Sequence, residues 1–377
     1  MEVTLLEKKA KVCHITTVHR PFDTRIFYKE CISLAKAGFE VYLVTTYDKD
    51  EEVNGVKIRA VPKHKNRFQR IFKKPWIAYR RALETNAEVF HFHDPELIPV
   101  GWMLKLKGKK VIYDVHENYP AEILNKDWLG PLLIRKMVAA FVGFLEILST
   151  NVFDAIVIVI PDGRTRFPKS KTVLVQNFPS VDTVDNAPLL EVPKNKLTVI
   201  YAGDLTRVRG IKESIQAMEY VGDFSELWLL GRWENDAFRE ECESLKGWKH
   251  VKYLGLQPLR NTYGYMKGAD IGLAVFRPVN SHLKSQPNKV FEYMACAKPV
   301  ILSNFPYWKK LFSKCALFAD PLDPKDIANQ IKRLFNDERL RTGLGMQGRK
   351  LVEEKFSWET ESKKLVAMYD KLSSSLE

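Results

Sequence analysis

Cysteine is scarce and scattered. Cys13, Cys31, Cys242, Cys296 and Cys315 are the only five in 377 residues, and no two form a CxxC pair. An odd, dispersed set excludes a disulfide frame and fits reduced thiols in a cytosol. Long uncharged apolar runs are missing as well. The most apolar stretch, Leu132–Leu148, carries Arg135, Lys136 and Glu146 and is too short and too charged to cross a bilayer. The opening residues, MEVTLLEKKAK, lack the apolar core of a signal peptide. The expected location is cytoplasmic, with a peripheral place on the inner face of the cell membrane as the variant. Low-complexity tracts are absent too, and the length allows two domains, each with its own core.

Acids are missing from one long stretch. Between Val53 and Leu83 stand Lys57, Arg59, Lys63, Lys65, Arg67, Arg70, Lys73, Lys74, Arg80 and Arg81, with no Asp or Glu, in a chain of net charge +13. Phe68, Phe72, Trp76 and Tyr79 are interleaved at roughly helical spacing. Cations mixed with rings suit an anionic membrane surface. They would also suit nucleic acid, or a solvated helix whose rings pack inward. The membrane surface is the preferred partner for 53–83. A nucleic-acid partner is not expected, because the ordered strands and the segment described next ask for a small ligand.

What is present is alternation. VCHITTV (Val12–Val18), EVYLVTTY (Glu40–Tyr47), Glu88–His93, Lys110–Asp114, Ala155–Ile160 and Thr172–Gln176 read as buried strands separated by helical stretches. The pattern restarts at LTVIYAGDL (Leu197–Leu205) after a polar stretch, Asp185–Lys196, taken as the linker. Glu226–Gly231, Val251–Gly255, Ala269–Phe276 and Val300–Asn304 continue it. Such order predicts an α/β fold with two parallel sheets and right-handed crossovers. A crevice at the carboxyl ends of the strands is then the expected ligand site.

Ser285–Pro299, SQPNKVFEYMACAKP, is the most informative segment. A loop there feeds a short helix from about Asn288 to Cys296, whose free N–H groups and dipole suit an anion. Its one acid, Glu292, can accept hydrogen bonds from the paired hydroxyls of a ribose. A wet face of an ordinary amphipathic helix explains Glu292 equally well on pattern alone. In the first half, HFHDPELIP (His91–Pro99) and YDVHENYP (Tyr113–Pro120) end two strands, and HRPFDTRIFYKE (His19–Glu30) follows the first. His19, Asp23 and Arg25 form a polar set suited to a sugar or phosphate, or a local Asp23–Arg25 pair.

PNKVFEYMACAKPVI resembles the donor segment of retaining glycosyltransferases of family 4, which share the two-domain GT-B architecture. The resemblance extends over nearly the whole chain and is strongest in the second half, where YAGDLTRVRGIKESIQAM (Tyr201–Met218) is similar to a first donor-side motif. It implies a GT-B fold of two Rossmann-like domains facing each other across a crevice. Residues 1–188 would form the acceptor-side domain and 189–357 the donor domain, with the helix 358–377 packing back on the first. It implies transfer of a sugar, with retention, from a UDP-sugar or GDP-sugar to a glycan or polyprenyl-linked acceptor. No cofactor is implied and no metal is required.

By the same resemblance Glu292 holds the ribose, and Arg209 and Lys289 meet the diphosphate beside Gly203 and Asn288. Arg207 replaces a usual Arg whose place is taken by Asp204. Gly231 and Gln257 line the base. Lys284 stands where a first acid of an E-x7-E motif falls, which puts the sugar in question. His116 lies beside the sugar, with Glu117 next to it, and His91, His93 and Asp94 are supporting or acceptor-side groups. A glycine-rich turn common in relatives is missing, since no glycine stands between Met1 and Gly38. A GT-B UDP-sugar 2-epimerase is the alternative enzyme.

Overall fold

The computed structural model describes residues 9–66, 68–124, 126–161, 166–190 and 196–374. Arg67, the opening residues 1–8 and linker residues 191–195 lie outside them. The chain divides into two compact units. One holds the described residues as far as Asn177 and those from Glu361 onward, and the other runs from Phe178 to Thr360. The division falls before the expected linker, and an apolar residue explains why. Phe178 is buried, with its ring 4.8 Å from Phe291 and 5.2 Å from Phe356. Arg349 also clasps Asp185 at 2.7 Å. The expected boundary at 188/189 therefore shifts to 177/178.

The strands of the first unit are β1 (Lys11–Ile15), β2 (Glu40–Thr46), β3 (Glu51–Val53), β4 (Val56–Val61), β5 (Val89–Phe92), β6 (Lys110–Val115), β7 (Ala155–Ile158) and β8 (Thr172–Leu174). They form one sheet in the order β3-β4-β2-β1-β5-β6-β7-β8. Only the β3–β4 pair is antiparallel among the named pairs. Its turn is Asn54-Gly55, both at positive φ, the pairing that a two-residue hairpin favours. So the acid-free stretch 53–83 is not one helix. It is β4, then a turn, then a π-helical turn (Gln69–Lys73) and a helix (Lys74–Leu83).

Register sorts the side chains of the first sheet. His14 pairs with His91, and His91 with Ile112, so they share a face. Period-2 alternation then brings His93, Asp114 and His116 to that same side. The opposite side carries Cys13, Ile15, Phe90, Phe92, Val111 and Tyr113, packed into an apolar core. Three helices cover that core side: Lys74–Leu83, Ile98–Leu106 and Leu132–Val152. The polar side receives the π-helical turn Ile26–Cys31 and the helix Trp358–Ser373. From Glu361 onward that helix counts with the first unit, where Tyr369 is fully buried against Phe39. Glu361 there accepts the N–H of Gln176 at 2.9 Å.

The second unit has six strands: β9 (Leu197–Ala202), β10 (Ser225–Leu230), β11 (Val251–Gly255), β12 (Ile271–Ala274), β13 (Val300–Ser303) and β14 (Ala316–Ala319). Their order is β11-β10-β9-β12-β13-β14, with every named pair parallel. Strands are near-continuous apolar runs because helices cover both faces. At the carboxyl ends, glycines let backbones meet. A Cβ on Gly231 would stand 1.9 Å from the Gly203 carbonyl oxygen, and one on Gly210 would stand 1.8 Å from that of Val275. No helix among the described residues is long and apolar enough to cross a membrane.

Candidate active site

In the second unit, β9 ends at Ala202 and the chain turns through Gly203 at φ +129°. Two cations converge on that turn. The Lys289 ammonium would be 2.6 Å, and an Arg209 guanidinium nitrogen 3.6 Å, from a Cβ built on Gly203. Only glycine leaves room for both. Lys289 opens the helix Asn288–Ala295, is buried, and lies 3.6 Å from the centre of the Tyr201 ring. Its Nζ makes no hydrogen bond. Burial, with the charge of Arg209 beside it, holds its pKa well below the ordinary lysine value. A buried amine without an acceptor is costly, so the spot is chemically unfinished. Arg209 bonds Asp204 at 3.2 Å. Asp204, the departure from the resemblance, is therefore the partner that Arg209 would have to share.

Glu292 follows on the same helix, half-buried and within hydrogen-bonding reach of buried Tyr263. Burial first, and then the Glu292 charge, push that phenol well above its usual value. Other expected donor residues are elsewhere. Arg207 turns away: its guanidinium pairs with Glu241 at 2.5 Å and stacks 4.5 Å over the Phe238 ring. It is not placed to replace the missing Arg, because an acid and an aromatic of the helix Asp236–Glu243 satisfy it. Gln257 folds back to donate to the Leu254 carbonyl at 2.5 Å. Lys284 and Asn288 are exposed.

In the first unit the polar face of the sheet is a network of side chains bonded to one another. His91 Nδ1 meets the Tyr369 hydroxyl at 2.8 Å, and that hydroxyl meets His14 Nε2 at 3.0 Å. His14 Nδ1 meets His93 Nε2 at 3.0 Å, and His93 Nδ1 meets His116 Nε2 at 3.1 Å. Asp114 Oδ2 lies 3.4 Å from both His93 and His116 and 3.2 Å from Arg25. Arg25 also pairs with Glu30 at 2.9 Å and donates to the Val175 carbonyl at 3.1 Å.

Burial keeps the His14 and His91 imidazoles well below their ordinary range and lowers His93 to about 4, against the pull of Asp114. Burial raises Glu30 well above a normal carboxyl, whereas Arg25 and His116 hold Asp114 well below one despite its burial. Neutral His14, His91 and His93 rings thus surround one Arg–Asp pair. By spacing, His14, Glu30, His91 and His93 could surround a cation. His14 Nδ1 and His93 Nε2 already bond each other, His91 Nδ1 is held by Tyr369, and the Arg25 charge stands alongside, which opposes that use.

Arg25 and Asp23 therefore do not form the expected polar set for a sugar. Arg25 is buried under the sheet, and Asp23 accepts the N–H groups of Arg25 and Ile26 at 2.8 and 2.9 Å, holding the start of the π-helical turn. His19 is partly exposed, with Nδ1 3.2 Å from Asp94. Burial alone would lower its pKa, but the Asp94 carboxylate overrides this and raises it. Asp94 in turn accepts the Thr16 hydroxyl and the Thr17 N–H at 2.8 and 2.6 Å. His116 is half-buried, and Glu117 is exposed at a pocket shared with Asn118 and Arg166. Sequence reasoning missed His14, Asp114, Tyr369 and Tyr201. The first two were legible from the strand alternation HIT and YDVH, whereas the tyrosines had no local signal.

Each unit is similar to known proteins. Residues 24–162 match the family "Glycosyltransferase Family 4", and residues 185–351 match "Glycosyl transferases group 1". The capsular polysaccharide biosynthesis glycosyltransferase CapM of Staphylococcus aureus is 26% identical over 175 residues, which is 45% of this chain and 45% of that protein. The match thus spans under half the length of that curated relative. Among solved structures, sucrose-phosphate synthase from Thermosynechococcus elongatus superposes with a TM-score of 0.71 at 18% identity, over 97% of this chain and 100% of that one. HepE of Anabaena, solved with UDP and glucose, gives a TM-score of 0.67 at 12% identity over 96% and 100%. Both matches are to glycosyltransferase models, and the chain has the GT-B fold of its structural neighbours, which identifies it as a glycosyltransferase enzyme.

Proposed function

We propose that this protein is a retaining glycosyltransferase that moves a sugar from a nucleoside-diphosphate donor to a glycan or polyprenyl-linked acceptor in polysaccharide assembly. One observation carries the donor half of this reading. Lys289 is buried, cationic chemistry without a hydrogen-bond acceptor, at a helix N-terminus beside Arg209 and Gly203. A diphosphate is the ligand that completes it. UDP is the first nucleotide to test, because HepE is solved with UDP. CapM, a capsular polysaccharide enzyme, supports the polysaccharide context.

In this reading Lys289 and Arg209 stabilise the charge that develops on the departing diphosphate, which two cations can do without an ion. Glu292 accepts the ribose hydroxyls. His116 supports the sugar, with its Nε2 held by His93 and Asp114 so that Nδ1 is left for substrate. The acceptor attacks from the leaving-group side, and a donor phosphate oxygen takes its proton. An epimerase is not favoured, since both matched families are of transferases.

Calorimetry with UDP, GDP, ADP and uridine tests the reading. Arg209→Ala should weaken UDP by about 1.5–3 kcal/mol and leave uridine nearly unchanged. Glu292→Ala should weaken both. Equal loss for UDP and uridine in Arg209→Ala would mean that the residue shapes the loop rather than holding phosphate.

A further inference from the structure

The helix Leu132–Val152 is built inside out. Its buried residues are Ala139, Glu146, Ser149 and Thr150. Its one acid, Glu146, is fully buried, accepting the Tyr113 hydroxyl at 2.9 Å and pairing with Arg166. Ser149 accepts the Trp102 indole N–H at 3.1 Å. The outward side is a continuous apolar stripe. Leu133, Met137, Phe141, Phe144, Ile147 and Leu148 recur at helical spacing, with Phe141 and Phe144 62% and 61% exposed. A surface helix ordinarily shows the reverse, and a contiguous apolar patch of this kind marks an interaction surface.

We infer that this stripe lies in the interface of an anionic membrane. The helix has 21 residues, about 31 Å of length in the membrane plane. It is not apolar enough to cross a bilayer, so lying flat is the mode its pattern fits. Charge complementarity selects lipid over a second copy. No acid faces outward along the helix, Lys136 is exposed near its start, and Trp128 stands exposed just before it. The helix Lys74–Leu83 belongs to the same helical layer and presents exposed Trp76 with Lys73 and Arg80 beside it. Two copies meeting through this layer would bring cations together, whereas anionic headgroups neutralise them.

The site only partly overlaps the one expected within 53–83. Lys74 is buried there and donates to the Thr17 carbonyl at 2.7 Å, and Arg81 is paired with Asp50 at 2.5 Å. Those two cations serve the fold.

The inference stands apart from sugar transfer, because vesicle binding reports the one and UDP binding the other. The test is flotation of the full chain with phosphatidylcholine vesicles, with and without phosphatidylglycerol. We expect binding only to the anionic vesicles, weakened by salt. Phe141→Ser with Phe144→Ser should lower it roughly a hundredfold without changing UDP affinity. All five native cysteines are buried, so Phe144→Cys can carry an environment-sensitive dye, with Met346→Cys in the second unit as control. The dye should report an apolar medium at 144 alone. Absence of flotation, equal flotation with neutral vesicles, or a dye at 144 that stays in water would overturn the inference. So would a dimer in wild type that Phe141→Ser dissolves, which would assign the stripe to a second copy.

Discussion

In the first unit, Arg25, Asp114, His14, His91, His93 and Tyr369 are all buried, and each finds a partner within 3.2 Å inside its own unit. In the second, Lys289 is equally buried and has no acceptor for its ammonium group. One polar set is bonded mainly within itself, though Asp114 Oδ1 and His91 Nε2 make no hydrogen bond, and the other is open. A set whose members bond mainly one another holds a shape and fixes tautomers. An open one holds an amine without a hydrogen-bond acceptor, and the ligand that meets it gains what the fold gives up. Substitutions in the two sets should therefore have opposite signatures, stability in one and affinity in the other.

The largest effect is expected from Arg25→Met. It strips the cation from buried Asp114 and Glu30. Breaking one side of a buried pair typically costs about 3–5 kcal/mol, which urea unfolding would read directly. Asp114→Asn in the same protein should recover part of the loss. A cost under about 1 kcal/mol would mean that water, not Arg25, compensates Asp114.

Lys289→Met should do the reverse. Stability should hold or rise by about 1 kcal/mol, since a buried amine lacking a hydrogen bond becomes a thioether of similar length. UDP affinity should fall about tenfold to a hundredfold. A pH signature sharpens this. Burial and Arg209 hold the free-state Lys289 pKa well below the ordinary value, and an adjacent diphosphate raises it again. Between those two values UDP binding takes up a proton, so affinity falls as pH rises through that window. Calorimetry in buffers of different ionisation enthalpy counts the proton. Uptake that persists in Lys289→Met belongs to another group.

The contrast also explains what could be read in advance. Parallel order, two units and the helix Asn288–Ala295 were legible because strand runs such as VIYDV and the PNKVFEYM segment carry local patterns. The β3–β4 hairpin was legible from Asn54-Gly55 but passed over within a basic stretch. Arg207 and Arg25 were misread for one physical reason. A cation's role depends on which acid lies nearest in space, and Glu241 and Asp114 are distant in sequence. The outward stripe of Leu132–Val152 was hidden because composition reports that a helix is amphipathic, not which face the sheet takes. Here the sheet took the polar one, through Glu146 and Ser149.

The smallest effect, and the most discriminating, belongs to Tyr369→Phe. The hydroxyl joins His91 to His14 at 2.8 and 3.0 Å, and through His14 and His93 it connects to His116. The neutral His14, His91 and His93 rings each have one N–H, so each donates through one nitrogen and accepts through the other, and the tautomer of one ring constrains that of the next. Removing the hydroxyl should cost about 1–2 kcal/mol. It should also free His14 and His93 to change tautomer, visible as altered nitrogen shifts in the NMR spectrum of the imidazoles. UDP affinity should not move, because the residue lies in the self-bonded set. If the hydroxyl only packs, stability falls and the tautomers stay put. If it sets the sense of the chain, the tautomers mix, and turnover falls with UDP affinity intact. A drop in UDP affinity would break the comparison itself, since it would show that the self-bonded set of the first unit and the open set of the second act as one.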